Sequence, residues 1–128
     1  MNRSAISPVT GQIHLLSGNE VAITISPDEP VFAGHYPGFP IFPGMCVVEV
    51  VHRGALLTAP AEAGELTMAA LESARFMTPV FPGDELTVVI EWRQGREHWH
   101  CSAKARVADR NVASVKLRYR SGMTNGRP

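Results

Sequence analysis

One short run holds most of the residues able to do chemistry: Gly34-His35-Tyr36-Pro37-Gly38-Phe39-Pro40-Ile41-Phe42-Pro43-Gly44, continuing into Met45-Cys46-Val47-Val48-Glu49. His35 is an imidazole on a turn stiffened by prolines, which fix backbone torsions; a pre-organised base is what proton abstraction needs. Glu49 puts a carboxyl group into an apolar helical stretch, where burial favours the protonated, proton-donating form. A structural ion pair with Arg53, one helical turn on, is compatible with that role. Gly44 opens the helix. Its amide hydrogen has no partner inside the helix and lies at the positive end of the dipole, where it can stabilise charge growing on a carbonyl oxygen. A base, an oxyanion donor and a proton donor together make a proton-transfer site.

Other candidates are weaker. His98-Trp99-His100 sets two imidazoles on one face of a strand, but no acidic or cysteine cluster completes a metal site, and no metal is expected. Cys46 reads as a packed thiol rather than a nucleophile. Phe39, Phe42, Phe76 and Met77 read as core or interface residues, some of them lining a channel for an acyl chain. No glycine-rich phosphate loop and no nucleophilic serine motif occurs.

Several elements are needed to hold these residues. Ile13–Leu16 forms a possible short strand, and Glu20–Ile25 alternates polar and apolar residues as a strand does. The proline-rich loop then leads to a helix from Pro43 or Gly44 to Leu57, and residues 59–64 form a loop. Leu66–Met77 reads as one bent strand, with a helix as the alternative. Pro82-Gly83-Asp84 forces a turn. Strands follow at Glu85–Trp92, His98–Val107 and Val112–Tyr119, joined by hairpins at Gln94-Gly95-Arg96 and Asp109-Arg110-Asn111. A helix apolar nearly all round needs cover on most sides. The economical arrangement is α+β, an antiparallel sheet curled around one central helix of about 22 Å.

At 128 residues the chain is expected to form one domain, 1–128. Its 12 basic and 12 acidic side chains create no global field for nucleic acid. The charge is uneven, however: residues 1–64 hold two basic and five acidic side chains, residues 65–128 ten and seven. A solvated sheet face or docking of an acidic partner accounts for that excess. Cys46 and Cys101 are the only cysteines. The expectation is no disulfide, no secretory signal, no membrane span and a reducing, cytoplasmic setting.

The run from Gly34 to Glu49 resembles the active-site segment of the 3-hydroxyacyl-(acyl carrier protein) dehydratases of fatty-acid and polyketide synthesis, which have the hotdog fold. The histidine-to-glutamate spacing matches, as do Pro37-Gly38, Pro40-Ile41 and Pro43-Gly44. Ala74-Arg75-Phe76-Met77-Thr78-Pro79-Val80-Phe81-Pro82-Gly83-Asp84 resembles the family's later strand-turn segment. The resemblance implies a dimer whose sheets join, with His35 of one subunit facing Glu49 of the other. It implies that His35 acts at C2 of a thioester, Glu49 at the 3-hydroxyl and the Gly44 amide at the carbonyl. Phe39, Phe42, Arg53 and Phe76 are then candidate substrate contacts. No cofactor is implied, since the substrate rides on the phosphopantetheine of an acyl carrier protein.

Two departures shape this expectation. The family carries a glutamine four residues after the glutamate, which orients the carboxyl group, whereas this chain has Arg53. The family's opening strand, with arginine, tyrosine and proline, is not found in residues 1–18. Both favour a specialised polyketide or polyene pathway over housekeeping fatty-acid synthesis. They also keep open a hotdog thioesterase, or a weakly catalytic subunit that pairs with another hotdog chain, in place of a homodimer or a higher oligomer.

Overall fold

The protein was analysed as a computed structural model that describes residues 9–34 and 41–122. Period-two patterning decides which side of each strand faces inward. In Glu85–Gln94 (β4), Leu86, Val88 and Ile90 are buried while Val89 and Glu91 face out. In Trp99–Val107 (β5), Trp99, Cys101, Ala103 and Ala105 point in. Arg110–Ser121 (β6) buries Val115, Leu117 and Tyr119 on the same side.

These strands join His14–Ser17 (β1), Glu20–Thr24 (β2) and Leu66–Phe76 (β3) in one sheet of order β1-β2-β4-β5-β6-β3. Every neighbouring pair is antiparallel. Of the two readings of residues 66–77 the strand is the one adopted, and it pairs with β6 through register shifts between Met68 and Ala70 and between Leu71 and Ser73. Such irregularities bend a strand and increase its twist. The last hairpin turns earlier than its sequence suggested, at Ala108-Asp109, with Val107 opposite Arg110 and Ala108 at φ 53°. A five-residue helix, Pro30–Gly34 (α1), occupies what read as loop.

The long helix, Gly44–Thr58 (α2), lies across the inner face of this sheet. It buries Cys46, Val47, Val48, Val50, Val51, Gly54 and Ala55 against Val21, Ile23, Leu86, Ile90 and Leu117. Gly54 allows the closest approach: a Cβ there would stand 2.7 Å from Val21 Cγ2 and 3.2 Å from Ile90 Cδ1. Among the described residues, the cover expected on most sides of α2 leaves part of the helix open. Met45, Leu56 and Leu57 remain 66%, 46% and 50% exposed.

Candidate active site

The start of α2 is positioned by two local features. Phe42 is buried and pairs with Val80, its amide donating to the Val80 carbonyl at 2.8 Å. Pro43 then enters the helix with extended torsions and no side-chain cap, and the amides of Cys46 and Val47 both return to its carbonyl. Gly44 is the first helical residue. The Phe76 ring lies directly above it, 2.9 Å from where a Cβ would stand, so only glycine fits without displacing the ring. Phe42, Gly44, Val47, Phe76 and Met77 line a cavity of about 370 Å³. Among the described residues that line it, only Thr78 has a polar side chain, a wall that suits an acyl chain more than a sugar or a nucleotide. Phe76 and Met77, read as core or interface residues, are half exposed at its rim.

Glu49 sits in the middle of α2, about 7.5 Å along the axis from Gly44 at the usual rise. It is half-buried rather than sunk in oil, because the uncovered side of the helix carries it. Met45, Glu49, His52 and Leu56 recur at spacings of four, three and four, which places them on one helical face. His35 and Phe39 lie outside the described residues.

Arg53 takes a different place from the one expected. Its guanidinium donates to the Val9 carbonyl at 3.0 Å and to the Gly11 carbonyl at 2.8 Å. The same segment is held from the other side by Glu29, only 2% exposed, which accepts from Thr10 N at 2.7 Å, Thr10 Oγ1 at 2.9 Å and Gly11 N at 2.8 Å. The peptide groups of residues 9–11 thus lie between a cation and an anion, each satisfied by hydrogen bonds. A buried carboxylate is tolerable only on such terms. Arg53, expected as a candidate substrate contact, is engaged in this structural clamp. Nothing in the alternation of the sequence marked Glu29 as buried; Asp28 beside it is exposed.

A second polar group escaped the sequence reading. His52 Nδ1 lies 2.8 Å from the hydroxyl of Tyr119, and the two rings stack with centroids 5.7 Å apart. Trp92 flanks Tyr119 and donates through Nε1 to Thr58 Oγ1 at 3.1 Å. The available signals were the three-residue step from Glu49 to His52 and the inward parity of Tyr119 with Val115 and Leu117.

The thiols behave as core. Burial, then the charges of Glu29 and Glu49, push Cys46 up to about 11, and burial pushes Cys101 up to about 12. Both are free, as expected, and neither carries the thiolate that nucleophilic attack needs. His100 approaches Glu72 at 3.7 Å, and Arg118 reaches the same carboxylate at 3.2 Å. No group of three metal-ligating side chains occurs among the described residues. Nor is any described helix long and apolar enough to cross a membrane.

A long helix laid on a six-stranded antiparallel sheet, with the cavity at the helix start, defines a hotdog protein. The chain belongs to the ApeI-like dehydratase family, whose model matches residues 16–116. It is 36% identical over 103 residues to the 3-hydroxyacyl-(acyl-carrier-protein) dehydratase FabZ of Desulforamulus reducens, covering 77% of this chain and 72% of that one. Identity to the FabZ of Symbiobacterium thermophilum is 45% over 71 residues, 52% of this chain and half of the relative's length. The fold also matches a chain from a solved complex, the dehydratase heterocomplex ApeI:P of Xenorhabdus doucetiae. That match has a TM-score of 0.63 at 22% identity and covers 88% of this chain and 97% of the other. The resemblance read from Gly34–Glu49 is therefore borne out at the level of the family.

Proposed function

We propose that this chain catalyses dehydration of a 3-hydroxyacyl thioester, carried on an acyl carrier protein, to the trans-2-enoyl thioester. The observation that carries the reading is the apolar cavity over the uncapped start of α2, with Glu49 on the open side of the same helix. An acyl chain enters that cavity and its thioester carbonyl meets the Gly44 amide. His35 takes the proton from C2, negative charge grows on the carbonyl oxygen, and the Glu49 carboxyl group gives a proton to the departing 3-hydroxyl. The C2–H and C3–O bonds break, a C2–C3 double bond forms and water leaves. Each of His35 and Glu49 contributes roughly 10²–10⁴-fold as a positioned acid or base. The amide adds electrostatic stabilisation that an apolar wall strengthens. Phe42 and Phe76 shape the acyl channel, and Phe39 joins them. Nothing in this sequence of proton transfers calls for a cofactor.

The exposed apolar face of α2 supports assembly with a second hotdog subunit, so that His35 of one subunit reaches Glu49 of the other. A second copy of this chain is the simplest partner. A different hotdog chain is the alternative, favoured by the heterocomplex among the structural relatives. The outer sheet face suits the acidic surface of a carrier protein: Arg75, Lys104 and Lys116 line a groove there of about 340 Å³ beside Glu91. The pathway is fatty-acid or, more in keeping with the departures at Arg53 and in residues 1–18, specialised polyketide or polyene synthesis in the cytoplasm.

The test is hydration of a short 2-enoyl thioester, the reverse reaction, by the wild type, His35→Ala and Glu49→Gln. Loss of at least about 10² in turnover is expected for either change. Unchanged turnover in His35→Ala sinks the assignment, and release of free acid points to a thioesterase instead.

A further inference from the structure

The Gly44 amide has no acceptor among the described residues, and the Phe76 ring stands against the same glycine. We propose that Phe76 makes the site selective for acyl groups unbranched at C2, by filling the space that a methyl group on C2 would need. The inference rests on the dehydratase reading for the pose of the substrate, with its carbonyl on the Gly44 amide, and names the substrate class of that same site.

Three observations carry it. The first is the contact itself. A methyl group built on the Gly44 Cα would stand 2.9 Å from Phe76 Cζ, 3.0 Å from Cε2 and 3.1 Å from Cε1. Carbon atoms prefer separations of about 3.5–4.0 Å, so that spot takes no further carbon while the ring stays. With a carbonyl held on the same glycine, C2 lies one bond beyond the carbonyl carbon, and a branch there meets the ring. Second, the backbone under the ring is anchored. Phe76 pairs with the buried Ala113, the Met77 amide donates to the Val112 carbonyl at 2.7 Å, and Thr78 Oγ1 donates to the Asn111 carbonyl at 2.7 Å. Rotation of the side chain toward the open rim, where it is half exposed, is the way left to make room, and it forfeits the contact with Gly44. Third, the rest of the cavity suits a straight tail. Phe42, Val47, Val80 and Val112 line it as buried apolar side chains. One methyl group more or less in such a pocket changes preference by about 10–200-fold. A chain extension that supplies the preferred substrate must add an unsubstituted two-carbon unit.

The experiment has a kinetic arm and a binding arm. Hydration of 2-butenoyl-pantetheine and of (E)-2-methyl-2-butenoyl-pantetheine is measured for the wild type, Phe76→Leu and Phe76→Ala. The ratio of the two kcat/KM values contains the intrinsic reactivity of each thioester, so the change in that ratio between proteins is what counts. The preference for the unbranched thioester should fall at least about 10-fold in Phe76→Ala and about 3-fold in Phe76→Leu, which keeps apolar cover over Gly44. It should stay within about 2-fold of wild type in Phe81→Ala, which removes an exposed phenylalanine that does not line the cavity. The second arm is calorimetry with the matching amides, in which NH replaces the thioester sulfur, so that binding is read without turnover. The wild type should bind the unbranched amide at least about 10-fold more tightly than the branched one, and Phe76→Ala should bind the two within about 2-fold. A kinetic ratio unmoved in both Phe76 variants, no binding of the unbranched amide, equal affinities in the wild type, or a preference that persists in Phe76→Ala overturns the proposal. A wild type that hydrates neither thioester sinks the dehydratase reading alone, and the amide affinities still decide the role of Phe76.

Discussion

At the scale of single residues, burial rather than residue type decides which groups can react. Cys46 lies three positions from Glu49, yet enclosure and two nearby carboxylates hold its thiol at about 11. Cys101, under the sheet, is at about 12. Both lie above the ordinary thiol value of 9.0, so the folded chain keeps protons that the unfolded chain releases. Stability from these thiols is therefore complete below about pH 9 and is lost as pH rises toward 11 and 12. Within that window each buried thiol should lower the unfolding free energy by about 1.4 kcal/mol per pH unit. Urea midpoints taken at pH 8 and above pH 10 should show the fall, and Cys101→Ala should flatten it; an equal slope in Cys101→Ala contradicts the assignment. The residue scale is also where the sequence was least legible. Gly44 and Glu49 could be singled out because glycine at a helix start and a carboxylate among valines are locally odd. Glu29, Arg53, His52 and Tyr119 owe their positions to partners 18 to 67 residues away, which no local pattern encodes.

At the scale of elements, one close approach sets how α2 seats on the sheet. Alanine at position 54 would gain about 1 kcal/mol of helix propensity. Its methyl group would stand 2.7 Å from Cγ2 of Val21, which is itself fully buried and has no room to yield. Overpacking of that kind costs about 1–3 kcal/mol and should win. Gly54→Ala is therefore expected to lower stability by about 1 kcal/mol, read as a lower Tm; a raised Tm would mean that α2 can shift away from β2. Strands and helix could be placed to within a few residues from the sequence, because alternation in β4 to β6 and the apolar run of α2 are strong periodic signals. The hairpin after β5 was misplaced, since Asp109 and Asn111 are both good turn residues and only pairing across the strands brings Ala108 to a positive φ. Helix α1 was missed because five residues are too short to show a period.

At the scale of the whole molecule, the open side of α2 is the main fact. Within one chain it carries Met45, Leu56 and Leu57 exposed, with Glu49 and His52 between them. A sequence rich in apolar helix positions predicts cover but cannot say whether the chain or a partner supplies it. On the function proposed above, a second hotdog subunit would cover that face and complete the site. That proposal makes the assembly part of the chemistry, and it can be tested as such. Co-expression of His35→Ala and Glu49→Gln subunits, each inactive alone, yields about half mixed dimers under random pairing, each with one site that joins an intact His35 to an intact Glu49. The measurement is enoyl-thioester hydration by that mixture. Recovery to about a quarter of wild-type turnover is predicted for a site shared between two copies of this chain; turnover no higher than that of the separate variants would contradict it.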